Sequence, residues 1–303
     1  MGGGSDDPDA AKDADDPRDG PSDGGLVGET VDWLVEGLAG NASFDPVEGP
    51  ARPQRRWWGH PLRESRWQFE LARLLTDPVW RGLDVPRGDG APVLLIPGFL
   101  AGDASLWVLH SWLTRMGHRP HYAGIAANVD CSDRALDRLD RVLCGIAITS
   151  GRKVTVVGHS RGGHFAKALA HRRPQMVSQV VTLGSALDEP FDISIPTRVA
   201  VAGVRQVLTG VLRRAPEGGC LTTACRCPFA RDFTAPFPAS VPLISIYSKG
   251  DGVVWWEACI VPYAVAVQVR GSHVGLAFNR NAYRVLGEIL GATPTRPSRS
   301  RAG

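Results

Sequence analysis

The sequence has no uninterrupted apolar run long enough to cross a membrane. The apolar stretch around Val253–Val267 is broken by Glu257 and Pro262. Its first residues hold no basic segment leading into an apolar core, so no secretory leader is expected. Met1-Gly2-Gly3-Gly4-Ser5-Asp6 puts an aspartate where N-myristoylation wants Ser or Thr. A soluble, cytoplasmic protein is the expectation. No lysine closes a phosphate-binding glycine loop, and no G-x-G-x-x-G follows an apolar run. Both common routes to nucleotide binding therefore lack support. Cysteine is sparse and oddly placed: Cys220, Cys225 and Cys227 cluster, while Cys131, Cys144 and Cys259 stand apart. C-x4-C-x-C matches no common zinc spacing, so no metal is expected. Cys131 and Cys144 lie thirteen residues apart along a predicted helix, roughly 20 Å, too far to bridge. A disulfide from the cluster to Cys259 would need an oxidising compartment. Net charge is only +3, which predicts no polyanionic partner.

What charge there is lies unevenly. Residues 1–25 carry eight Asp against Lys12 and Arg18 and almost no apolar side chains. Such a segment cannot bury enough surface to fold and reads as a disordered acidic tail. Residues 292–303, with Pro294, Pro297 and three Arg, read as a second tail. Between them, 43% hydrophobic residues in a chain of 303 suffice for a large core. There is no internal repeat.

Residues 26–90 read as a helical N-terminal extension. Val27, Val31, Leu34, Val35 and Leu38 fall at helical spacing. Residues 51–81 mix Arg52, Arg55, Arg56, Arg63, Arg66 and Arg73 with Trp57, Trp58, Trp67, Phe69 and Trp80. A nucleic acid or a lipid surface could use that mixture. The plainer reading is that Trp67, Leu71 and Leu74 form the buried stripe of a helix packed on the main domain. No dense positive run favours nucleic acid, which leaves peripheral lipid contact open. The sequence is silent on oligomeric state.

From residue 91 to residue 291 strands alternate with helices, which predicts an α/β fold with a mostly parallel sheet flanked by helices. Strands are expected at Val93–Ile96, His121–Ile125, Lys153–Val157, Val180–Leu183, Val241–Tyr247 and Ala264–Val269. Helices are expected at Ser105–Met116, Ser132–Ile148 with Ser132 as cap, and Asn279–Leu290. The stretch at about 188–238 interrupts the alternation with a helix-like set (Val201, Val204, Leu208, Val211, Leu212) and reads as an inserted lid.

Lys153-Val154-Thr155-Val156-Val157-Gly158-His159-Ser160-Arg161-Gly162-Gly163 is a β-branched run ending in G-x-S-x-G before a helical stretch. That context makes Ser160 a candidate nucleophile, held on a sharp turn where larger side chains at Gly158 and Gly162 would clash. A serine hydroxyl needs a base, and the base needs a group to fix its tautomer. His273 is the only histidine after His171, and it lies between the last strand and the last helix. Asp251, in Ser248-Lys249-Gly250-Asp251-Gly252, follows a strand and is the preferred acid; Asp188 is its rival. The backbone N–H groups of Phe99 and Arg161 are the candidate oxyanion donors. Gly98 would leave room for substrate, and Phe99, Leu100 and Trp107 could line an acyl pocket. His159 and His164 are expected to pack, without a catalytic role.

These four segments, Pro97-Gly98-Phe99, Gly158–Gly163, Ser248–Val254 and Gly271-Ser272-His273-Val274-Gly275, resemble the α/β-hydrolase superfamily, and within it bacterial lipases and esterases. The resemblance spans about residues 92–291. It departs in having Pro97-Gly98 where His-Gly is common, and in lacking two strands before Val93. It implies hydrolysis of a small-molecule or lipid ester, with a hydrophobic acyl group, through an acyl-enzyme and without a cofactor. An acyltransferase with the same triad, or a non-catalytic binding protein on this fold, are the alternatives.

Overall fold

Along β1 (Pro92–Ile96), Val93 and Leu95 turn to one side and Leu94 and Ile96 to the other, all four fully buried. A strand buried on both faces belongs inside a parallel sheet covered by helices. In the computed structural model, which describes residues 57–59, 61–211, 222 and 226–291, that is where it lies. The two expected tails, the Val27–Leu38 helix, Arg52, Arg55, Arg56, Cys220 and Cys225 fall outside the described residues.

Six parallel strands form one sheet in the order β2-β1-β3-β4-β5-β6. They are β1, β2 (Arg119–Tyr122), β3 (Val154–His159), β4 (Val177–Leu183), β5 (Leu243–Tyr247) and β6 (Val265–Gln268). β2 starts two residues before the expected segment. Arg119 pairs beside Pro92 and Tyr122 beside Leu95. The chain then leaves the sheet, because the Asp103 carboxylate accepts the Gly124 and Ile125 N–H groups at 2.9 and 3.1 Å. No strand precedes Pro92 among the described residues.

One face of the sheet is covered by α2 (Trp67–Thr76), α3 (Trp107–Arg115) and α8 (Arg280–Gly291). At its centre Trp112 packs against Tyr283, ring centroids 4.8 Å apart, and donates to the Val79 carbonyl at 2.8 Å. Leu74 of α2 is fully buried there, with Trp67 and Leu71 packed beside it. The aromatic N-terminal stretch thus contributes a helix stripe to the core, although Phe69 stays exposed. The other face is covered by α4 (Ser132–Ser150), α5 (Arg161–Arg172) and α7 (Pro228–Thr234). Cys131, not Ser132, occupies the N-cap position of α4, because the Ser132 hydroxyl accepts from Arg161 at 3.0 Å.

The segment between β4 and β5 carries α6 (Ile195–Gln206), which widens into a π turn at Val207–Val211, and then α7. Residues 212–221 and 223–225 of the expected lid lie outside the described residues. An antiparallel bridge between Ile193 and Val254 ties the start of this segment to the loop after β5. Cys259 is a buried free thiol, so the bridge considered for it is not formed. Burial raises that thiol's pKa well above its usual value and keeps it protonated. No helix among the described residues is long and apolar enough to cross a membrane.

Candidate active site

β3 runs straight into α5, and the reversal is absorbed at Ser160, with φ 52° and ψ −123°. A side chain at that φ is strained by about 1–3 kcal/mol, so its surroundings must impose the turn. They do so with hydrogen bonds from Ser160 N–H to Leu183 O (2.9 Å) and from the Ser185 hydroxyl to Ser160 O (2.8 Å). Glycine is required on both sides. A Cβ on Gly162 would run into the Ile96 carbonyl, and one on Gly158 into the Gly162 backbone. Ser160 is left half-buried at the wall of a cavity of about 700 Å³.

His273, in the loop after β6, lines the same cavity. Its Nδ1 lies 2.6 Å from Asp251 Oδ2, and both side chains are buried. A carboxylate only accepts, so Nδ1 carries the proton and the neutral ring keeps its lone pair on Nε2. Burial pulls the His273 pKa down. The Asp251 charge and hydrogen bond outweigh it, and the net shift is upward. The second Asp251 oxygen accepts the Val253 and Val254 N–H groups, each at 2.8 Å. Asp188, the rival acid, points elsewhere: its carboxylate accepts from Tyr263 at 2.6 Å, near Lys167.

The loop after β1 approaches the elbow from the other side. A Cβ on Gly98 would lie 3.1 Å from Ser160 Cβ, so the glycine makes room for the serine itself. Arg161 stands at the first position of α5, where a backbone N–H has no intrahelical acceptor. Its guanidinium donates to Asn128 O and Oδ1 (both 2.9 Å) and to Asp130 O (2.8 Å). Asn128 in turn donates to Pro97 O at 2.8 Å. Phe99 and Arg161 therefore sit on two backbone segments cross-braced through Asn128.

Residues 91–225 match a family model described as the alpha/beta hydrolase fold. The chain has the alpha/beta hydrolase fold. A triacylglycerol lipase of Vibrio cholerae serotype O1 is 31% identical over 98 residues, which is 31% of each protein, so the chain spans under a third of that relative. A Bacillus licheniformis lipase in its mature form superposes with a TM-score of 0.50 at 17% identity, covering 71% of this chain and 96% of the lipase.

The cavity beside Ser160 is largely apolar, with Phe99, Leu100, Phe191, Ile193 and Phe229 in its wall. Trp107 is not in that wall; it starts α3 and is about half exposed. His164 is packed edge-on against Phe233, and burial lowers its pKa to about 3, so it stays neutral. Among the described residues no cluster of His, Cys, Asp and Glu is arranged to hold a metal ion.

Several supporting residues escape sequence reasoning. His159 does not merely pack. Its Nε2 is 3.0 Å from the His273 carbonyl, and burial followed by the nearby His273 lowers its pKa to about 4. Neutral His159 thus donates to the backbone of the loop that carries His273. Ser248 donates to Gly271 O at 2.6 Å and accepts from Gly250 and Gly271, joining the loops after β5 and β6. From the N-terminal extension, Glu64 and Glu70 reach the same two loops. No short-range pattern signals the contacts of His159, Glu64 and Glu70 or the Ser248–Gly271 link, because those partners lie far away in sequence.

Proposed function

We propose that the protein hydrolyses carboxylic esters with a hydrophobic acyl group through a covalent acyl-enzyme. The observation that carries this reading is the buried Asp251–His273 pair opening on the same apolar cavity as a serine held at φ 52°. Ser160 Oγ attacks the ester carbonyl carbon while its proton passes to His273 Nε2. The C–O bond to the alcohol then breaks, and the alcohol leaves with that proton. Water next attacks the acyl-enzyme, His273 takes one of its protons, and the acid departs as Ser160 regains its hydrogen. Asp251 holds the tautomer and offsets the imidazolium charge, and the Phe99 and Arg161 N–H groups stabilise the oxyanion. The ester hydrolases among the similar proteins support the same reaction class.

Incubation with p-nitrophenyl esters of graded chain length tests the proposal. Turnover is expected to favour medium or long acyl chains, and Ser160→Ala is expected to abolish both turnover and fluorophosphonate labelling. Full activity in Ser160→Ala would refute the nucleophile. Ester products appearing with an added alcohol would move the reading to acyl transfer.

A further inference from the structure

One helical turn of the N-terminal extension reaches the loops of the candidate site through a single carboxylate. α1 (Pro61–Glu64) ends on Glu64, a half-buried side chain with one carboxylate for three backbone donors. Its Oε1 accepts the N–H of Gly252 at 2.9 Å and that of His273 at 3.1 Å. Its Oε2 accepts the N–H of Val274 at 2.9 Å. Gly252 directly follows Asp251. One carboxylate therefore holds the backbone beside the acid and the backbone of the base at once. Glu70, two turns further on, accepts the Ser272 N–H at 2.9 Å and the Ser272 hydroxyl at 3.1 Å. Just before α1, the Trp57 carbonyl accepts from Ile195 at 2.8 Å, and Gly59 lies too close to the Gly252 carbonyl for any Cβ.

We infer that Glu64 is a positioning residue of the candidate triad, clamping the Asp251 and His273 loops in register from outside the hydrolase domain proper. The inference rests on the Ser160–His273–Asp251 reading given above. Three charge-assisted bonds onto two loops are more than a surface glutamate needs for its own solvation, and each is stronger than a neutral one. Their loss would let the loops drift apart. A displacement near 1 Å in such a constellation costs about 10²-fold in rate. The Glu64 charge also acts on the base directly. The charged and titratable groups facing His273 are Asp251 from the loop after β5, His159 from β3 and Glu64 from α1, with Glu70 one residue away on Ser272. Asp251 and Glu64 both raise the His273 pKa.

Glu64→Gln tests the role, because it keeps the shape and removes the charge and one of the two acceptor oxygens. With a p-nitrophenyl ester, kcat is expected to fall about 10- to 100-fold with KM within about twofold. The acid limb of the kcat/KM profile is expected to move to lower pH. Glu64→Asp, which keeps the charge, is expected to return that limb toward wild type even where its shorter reach leaves kcat low. Thermal melts identify any variant that is not folded, and Glu64→Asp then carries the test through its pH limb. A folded Glu64→Gln with wild-type kcat and an unmoved limb would overturn the inference. Activity surviving in Ser160→Ala would overturn the triad itself, a separate failure.

Discussion

Asp251→Asn exchanges one oxygen for an amide nitrogen, and the surroundings decide where that nitrogen goes. On one side two backbone N–H groups, from Val253 and Val254, each lie 2.8 Å from Oδ1 and demand an acceptor. The asparagine oxygen must stay there, since an NH2 group would face two donors and leave both unpaired at about 1–3 kcal/mol each. The amide nitrogen is then forced to the position 2.6 Å from His273 Nδ1. Nδ1 has to accept, so the ring proton shifts to Nε2, where the lone pair for the serine proton should be. The folded structure survives, but the base carries the wrong tautomer. A tautomer error of this kind costs about 10⁴-fold in kcat in a Ser-His-Asp site, or about 5 kcal/mol of barrier. Initial rates with a p-nitrophenyl ester, alongside the rate of fluorophosphonate labelling, measure it. Both are expected to fall together while the melting temperature changes little. Asp188→Asn serves as control and is expected to stay within about threefold, because Asp188 bonds Tyr263 instead. Loss of less than tenfold in Asp251→Asn, or a large loss in Asp188→Asn, would refute the assignment of the acid.

Other outcomes follow from the same contacts. The raised His273 pKa places the acid limb of kcat/KM above the ordinary imidazole value of about 6.5, because the base works only when neutral; a limb below it would contradict the Asp251 pairing. By linkage, the stability this pair contributes is complete below the unfolded pKa and disappears as pH rises through the folded one, which denaturant unfolding across that window would reveal. Gly162→Ala forces a Cβ toward the Ile96 carbonyl and is expected to cost about 1–3 kcal/mol by urea unfolding. Gly145→Ala, in open space on α4, is expected instead to stabilise by about 0.5–1 kcal/mol. Arg161→Lys loses the fork that reaches Asn128, Asp130 and Ser132, and is expected to lower stability by about 2–3 kcal/mol and the melting temperature by about 5–10 °C.

The elements that were legible in the sequence are those specified locally. The β3–α5 elbow shows itself because β-branched residues stop at a serine between glycines. Asp251 and His273 show themselves because each sits in a glycine-rich loop just after an apolar strand. β2 was displaced because its end is set by Asp103, which lies about twenty residues before the amides it accepts. The capping role expected of Ser132 failed for a similar reason, a distant guanidinium claiming its hydroxyl. Glu64 and Glu70 were invisible among arginines and tryptophans. A glutamate on a basic helix looks solvated until the loops after β5 and β6 fold against it. Gly98 was expected to leave room for substrate; in the structure its missing Cβ also makes room for Ser160.

The order of the strands also has a consequence for how the chain folds. During synthesis β1 to β4 and the elbow emerge first, while β5, β6 and their loops come only after the long segment between Leu183 and Leu243. Throughout that interval β4 is an unpaired edge of buried valines, a template for association with another nascent chain. The Ser160 elbow is shaped early, before Asp251 and His273 emerge. Parallel pairings across such distances form slowly. A holdase, or a slower rate of translation over residues 184–242, is therefore expected to improve the yield of folded protein more than any change at Ser160.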